Sequence, residues 1–149
     1  HGMSKRRLRE GDDPDSETAW TAGNPIIFPY MIRIGGPVRN EFQMRIPIDD
    51  THTWHLDYIV FAPGHDVPLP KQDTIPYFEA PLFDEVGNPI LDYIVAQDFA
   101  AWWAQLPIAD RTSEQLGKSD EGIILFRKLL SEQIRIVEDG ADGPTWRIE

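Results

Sequence analysis

Apolar and polar residues alternate along three stretches of the first half of the chain, and a period of two marks a β-strand. In IIFPYMIRI, residues 26–34, Phe28, Tyr30, Ile32 and Ile34 alternate with Pro29, Met31 and Arg33. Pro29 cannot donate to a ladder, so an edge or a bulge is expected there. After the turn GGPVRN, residues 41–48 place Phe42, Met44, Ile46 and Ile48 on one face and Glu41, Gln43 and Arg45 on the other. A second turn at IDDT leads into residues 51–62, where Trp54, Leu56, Tyr58 and Val60 face together. This order predicts an antiparallel meander.

The period then changes. Residues 63–91 carry six prolines and little periodicity, which predicts a long loop. Asp92 is placed to cap a helix that runs to about Gln105 and ends before Pro107. Ser119 precedes a longer helix with Ile123, Phe126, Leu130, Ile134 and Val137 as its apolar stripe, stopped at Gly140. Strands, a covering loop and then helices predict an α+β domain, a curved antiparallel sheet packed on a long C-terminal helix. Residues 1–3 read as an expression remnant and start methionine, 4–19 as a truncated strand and acidic loop, 20–140 as the domain and 141–149 as a tail.

Within the first helix one residue breaks the pattern. Asp98 has Ile94 and Val95 one turn before it and Ala101 and Trp102 one turn after, all apolar. A carboxylate buried in such surroundings needs a partner. Three are open: the amides of a helix beginning at Phe99, an arginine such as Arg127, or a metal ion, the first two being the commoner solutions.

Composition narrows the chemistry. At 149 residues the chain is long enough for one core, and a net charge of -11 argues against nucleic acid or an anionic membrane as partner. No apolar run is long enough to span a bilayer and no signal peptide is recognised, so a cytoplasmic protein is expected. The absence of cysteine excludes disulfides, thiol catalysis and cysteine-held zinc or iron-sulfur clusters in this chain. No glycine-rich phosphate loop, nucleophile elbow or HExxH motif occurs. His52 and His55 lie three apart and fall on opposite faces of a strand, so they do not chelate one ion together. His52 shares the face of Trp54 and reads as a core or cavity-wall residue. His55 and Asp57 share the other, which reads as a solvated outer face; His65 lies in a Pro/Gly loop and suggests nothing. Asp49-Asp50 reads as a turn and Asp110-Arg111 as a local cap or ion pair.

Three segments, NPIIFPYMIRIGG, FQMRIPIDDTHTWHLDY and QDFAAWWAQLPIADRTSEQLGKSDEGIILFRKLL, together resemble the C-terminal part of the catalytic domain of Rieske non-haem iron oxygenase α subunits of the phthalate-dioxygenase-like kind. The resemblance runs from about residue 5 to 137. It implies a helix-grip, START-like fold, present here as a partial domain, and a mononuclear Fe(II) held by two histidines and one aspartate, the latter matched by Asp98. It also implies a [2Fe-2S] cluster in a Rieske domain that this chain lacks, an electron-donating reductase, an aromatic substrate and a homo-oligomer. His52, Trp54, Tyr58 and Trp102 are the expected pocket lining. The family's histidine pair has no counterpart here, and Leu106 stands where the family pattern calls for glycine. Isolated, the chain is expected to be inactive. Two other readings are a non-catalytic helix-grip module for an apolar small molecule and a subunit completed by another polypeptide.

Overall fold

A computed structural model describes residues 3–36, 38–62, 64 and 67–140. Five strands form one open sheet in the order β1 (Met3–Lys5), β2 (Asn24–Ile27), β3 (Met31–Gly35), β4 (Arg39–Pro47) and β5 (Thr53–Phe61). Between β1 and β2 lies a short helix, α1 (Thr18–Thr21); α2 (Ile94–Trp103) and α3 (Glu121–Glu138) follow the sheet. The class is α+β, as the periodicity predicts. The strand expected within residues 4–19 lies at Met3–Lys5, where Met3 is paired with Ile26.

Pro29 splits the first alternating run. The chain turns at Phe28–Tyr30, with a cis Phe28–Pro29 bond, so residues 26–34 form parts of two antiparallel strands in which Ile27 faces Met31. Between β3 and β4 the register sets Met31 against Met44, Arg33 against Phe42, and Ile32 against Gln43. Partners directly opposite share a face. Ile32 and Ile34 therefore lie with Gln43 and Glu41, while Arg33 lies with Phe42. The turn closes at Gly35, whose φ is 141° and where a Cβ would stand 2.2 Å from the Arg39 carbonyl oxygen, so only glycine fits.

Two backbone bonds bracket the β4–β5 hairpin, Ile48 N to His52 O at 2.9 Å and Ala62 N to Val38 O at 2.7 Å. Both ends give the same antiparallel register, which places Arg45 opposite His55 and Gln43 opposite Asp57. The chain divides into two compact units, one made of His1–Ile46, Trp54–Gly64 and Glu114–Glu149, the other of Pro47–Thr53 and His65–Ser113.

In the first unit α3 meets the turn between β2 and β3 through Phe126, whose ring centroid is 5.5 Å from that of Phe28, a tilted contact worth about 1 kcal/mol beyond its area. The covered side of α3 carries Phe126, Leu129, Leu130, Gln133 and Ile136. Ile123, Ile134 and Val137, expected in the same stripe, are exposed. Ser119 does not cap this helix: a 3-10 turn, Lys118–Asp120, precedes it, and the Asp120 carboxylate accepts from Gly117 N at 2.8 Å. Gly140, at φ 82°, ends it as expected.

In the second unit the proline-rich stretch is not wholly irregular. Phe83 and Pro89 form a β-bridge around a turn in which Asp84 accepts from Val86 N and Asn88 N. Phe83 meets the Trp103 ring edge-on at 5.1 Å. Ala96 is the buried apolar residue, and no large side chain is fully buried among the described residues. None of the described helices is long and apolar enough to cross a membrane.

Candidate functional site

Helix α2 starts at Ile94 with Tyr93 as its cap residue and without a side-chain cap bond, so the capping role expected of Asp92 is not taken. Asp98 therefore sits in the helix interior, not at its start, and the cap reading is excluded. The guanidinium of Arg127 is engaged elsewhere, in a two-pronged pair with Glu114, which raises its pKa through that hydrogen bond.

The helix turns Val95, Ala96, Phe99 and Ala100 inward. Asp98 points away from them. It is exposed, in line with Ile94, Ala101 and Trp102, which are exposed too. Asp98 makes no hydrogen bond or ion pair among the described residues. The result is an apolar helix surface, open to solvent, with one carboxylate at its centre. Trp102 sits against Phe99, ring centroids 5.6 Å apart.

The other residues expected around a pocket are placed as follows. His52 is not on a strand and not in a core: it lies in the turn before β5, its side chain largely exposed, with Nδ1 2.9 Å and 3.0 Å from the two Asp49 carboxylate oxygens. Strand pairing ends too early to carry it inward, because Asp49 captures the turn. One Asp49 oxygen accepts from Thr51 N and His52 N, each at 2.8 Å. The Thr51 amide, with His52 next, holds the Asp49 pKa down at about 2. Trp54 and Tyr58, on β5 in the first unit, are 50% and 43% exposed. Neither lines the two clefts described for the first unit. The clefts of the first unit, of about 200 Å³ and 180 Å³, are lined by residues such as Glu17, Asn24 and Gly35 or Arg7, Arg9 and Asp12. His65 lies outside the described residues.

The other face of β4 and β5 departs from the reading as a solvated surface. Glu41 is 8% exposed, and the side chains of His55 and Asp57 are 14% and 21% exposed. They belong to two bonded groups on that face. Arg39 pairs with Glu41 at 2.8 Å, Gln43 donates to Glu41, Arg45 donates to the Gln43 oxygen at 2.7 Å, and His55 Nε2 is 3.2 Å from Asp57 Oδ1. Sequence alternation gave the sharing of a face by His55 and Asp57, but it carried no signal for which face is covered.

Among the described residues no group of three or more His, Asp or Glu side chains is placed to hold a metal ion. Asp98 is a single carboxylate, so the described residues do not by themselves fit a mononuclear iron centre.

Comparison with known proteins bears on α2 and α3 directly. Residues 90–145 match the family described as LigXa C-terminal domain like. Over 142 residues the chain is 31% identical to the 5,5'-dehydrodivanillate O-demethylase oxygenase subunit of Sphingobium sp. (strain NBRC 103272 / SYK-6), an alignment covering 95% of this chain and 32% of that protein. The chain thus spans about a third of the relative it matches. No solved structure gives a significant match.

Proposed function

We propose that this chain corresponds to the C-terminal part of a Rieske non-haem iron oxygenase α subunit, a reading supported by the family match over residues 90–145 and by the similar O-demethylase subunit, and that Asp98 is its contribution to a mononuclear Fe(II) site. The single observation that carries the proposal is the placement of Asp98, unpartnered, on an exposed apolar stripe of α2. An exposed carboxylate needs no metal for its own stability. An apolar surface around it, however, is one that another part of a protein covers, and once covered the carboxylate requires a cation.

In this reading the complete catalytic domain has a helix-grip fold, and two histidines from outside this chain complete the facial set. The complete enzyme takes electrons from a reductase through a [2Fe-2S] cluster and uses O2 on an aromatic compound; the relative is named as an O-demethylase, which makes a methoxylated aromatic the first substrate to test. Bound iron would supply the oxygen-activating chemistry. Asp98 would hold one coordination position, and no step of the reaction is assigned to this chain alone. Trp102, on the same exposed stripe of α2 as Asp98, is carried as a lining residue of the complete pocket.

The test is metal content. Asp98→Asn in the complete oxygenase is expected to remove the mononuclear iron while the visible spectrum of the cluster is unchanged. The chain of 149 residues, loaded with Fe(II) and dialysed, is expected to retain far less than one iron. Retention of mononuclear iron by the Asp98→Asn enzyme would overturn the assignment and favour the reading as a non-catalytic binding module.

A further inference from the structure

We infer that Gln97 and Phe83 are positioning residues for Asp98: through them the bridged turn of residues 82–91 clamps α2 against rotation about its own axis and fixes the direction in which the Asp98 carboxylate points. That Asp98 holds iron rests on the reading above. The clamp rests on contacts inside the second unit, to which both the turn and α2 belong.

α2 has ten residues, no side-chain cap bond at its start, and Ala96 as its buried residue. A short helix whose buried residue is an alanine takes its orientation from particular contacts rather than from a deep core. Orientation matters because each residue of a helix advances about 100° round the axis. A roll of that size would carry Asp98 off the exposed stripe to the inward place of Phe99.

Two contacts oppose such a roll. Gln97 Nε2 donates to the Leu91 carbonyl oxygen at 2.9 Å, ahead of the helix start. At the other end the Trp103 and Phe83 rings meet edge-on, with centroids 5.1 Å apart and an angle of 84° between their planes. Helical geometry places Trp103 about 140° round the axis from Asp98 on one side and Gln97 about 100° on the other, with about 9 Å of helix between them. One contact alone would act as a pivot. Two, on different sides of the axis and at different heights, stop both roll and tilt.

Both contacts end on the same turn, which is itself well held. Phe83 and Pro89 form the bridge, Ile90 N donates to Leu82 O at 3.0 Å, and Asp84 N donates to Asn88 O at 2.9 Å. The Asp84 carboxylate closes the turn, accepting from Asn88 N at 2.8 Å, Val86 N at 3.0 Å and Asn88 Nδ2 at 3.3 Å. These bonds, that from the Asn88 amide foremost, lower its pKa. Gly87, at φ 87°, supplies the left-handed residue. Among the described residues of the proline-rich stretch, the bridged part is thus the part that meets α2. Ligating groups depend on outer contacts of this kind, which hold them within roughly 10–20° of their working direction.

The chain of 149 residues contains no cysteine, so Asp98→Cys together with Val86→Cys gives two unique sites for nitroxide labels, Val86 being 82% exposed in the turn. Pulsed EPR is expected to give one narrow distance peak between them. Gln97→Met, which keeps length and helix propensity but removes the donor, and Phe83→Ala are each expected to widen that peak about twofold or more. Gln97→Lys, which restores a donor, and Phe83→Tyr, which restores a ring, should bring the narrow peak back. In the complete oxygenase, Gln97→Met and Phe83→Ala are expected to weaken retention of the mononuclear iron against a chelator about tenfold, with the visible spectrum of the cluster unchanged. A peak as narrow in Gln97→Met and Phe83→Ala as in the parent would overturn the clamp. Undiminished iron retention by both variants, in an enzyme that loses iron through Asp98→Asn, would overturn the positioning role. If Asp98→Asn keeps its iron as well, it is the iron reading that fails, and the peak widths still decide the clamp.

Discussion

At Asp98 the sequence and the structure supply different parts of one picture. The apolar neighbours of Asp98 at helical spacing are legible in the sequence; its exposure is not, because exposure depends on what the helix packs against. In this chain the carboxylate carries no desolvation cost and no partner among the described residues. Asp98→Ala is therefore expected to leave stability unchanged or to raise it by about 0.5 kcal/mol, since alanine is the better helix former. Urea denaturation checks this, and a loss above about 2 kcal/mol would show a structural bond. Asp49 behaves differently. The Thr51 amide, then His52, depress its pKa to about 2 from the ordinary 3.8. A depressed carboxyl contributes stability that is present above the unfolded value and is lost as pH falls through the folded one. Asp49→Asn should therefore flatten the acid limb of the stability profile between about pH 4 and pH 2, the window between the two values. A carboxyl NMR titration of Asp49 with a midpoint near 4 would contradict the turn bonds.

At the scale of elements, the end of α2 carries a measurable strain. Leu106 N donates to Trp103 O at 3.2 Å, and Leu106 itself lies at φ 71°, the left-handed region where a helix end favours glycine. The sequence already marked this position, because Leu106 stands where the family pattern has glycine and Pro107 follows. A left-handed conformation costs a residue with a Cβ roughly 1–2 kcal/mol. Leu106→Gly is expected to stabilise by about 1 kcal/mol after the added freedom of the unfolded chain is counted. A thermal melt that falls instead of rising by a few degrees would mean that the exposed Leu106 side chain has a packing role. The strands divide the same way into what was legible and what was not. Alternation placed β4 and β5 and separated Phe42 from Gln43 correctly. It could not say that Ile32 would face Gln43, since register joins the faces of neighbouring strands and register follows the turns at Phe28–Tyr30 and Gly35. Nor could it give the covered side of α3, where Gln133 is turned inward and Val137 outward.

For the molecule as a whole, the dominant fact is how little apolar surface is put away. Trp54, Phe61, Ile94, Trp103, Ile134 and Val137 are all exposed, and Ala96 is the buried apolar residue among the described positions. Surfaces of that kind attract partners. The chain is expected to self-associate at about 100 μM, well above the ~1 μM dissociation constant of a modest specific interface. Sedimentation equilibrium giving only monomer at that concentration would contradict this expectation. The proline-rich stretch has a separate consequence. Residues 67–80 are exposed and without secondary structure, with Tyr77 and Phe78 among the most exposed aromatics, whereas Phe83 is held by the bridge to Pro89 and by Trp103. Brief chymotrypsin treatment should cut first at Tyr77 or Phe78 and spare Phe83. Because α3 belongs to the same unit as the sheet, the two halves of the nicked chain should elute together on gel filtration and part only in denaturant.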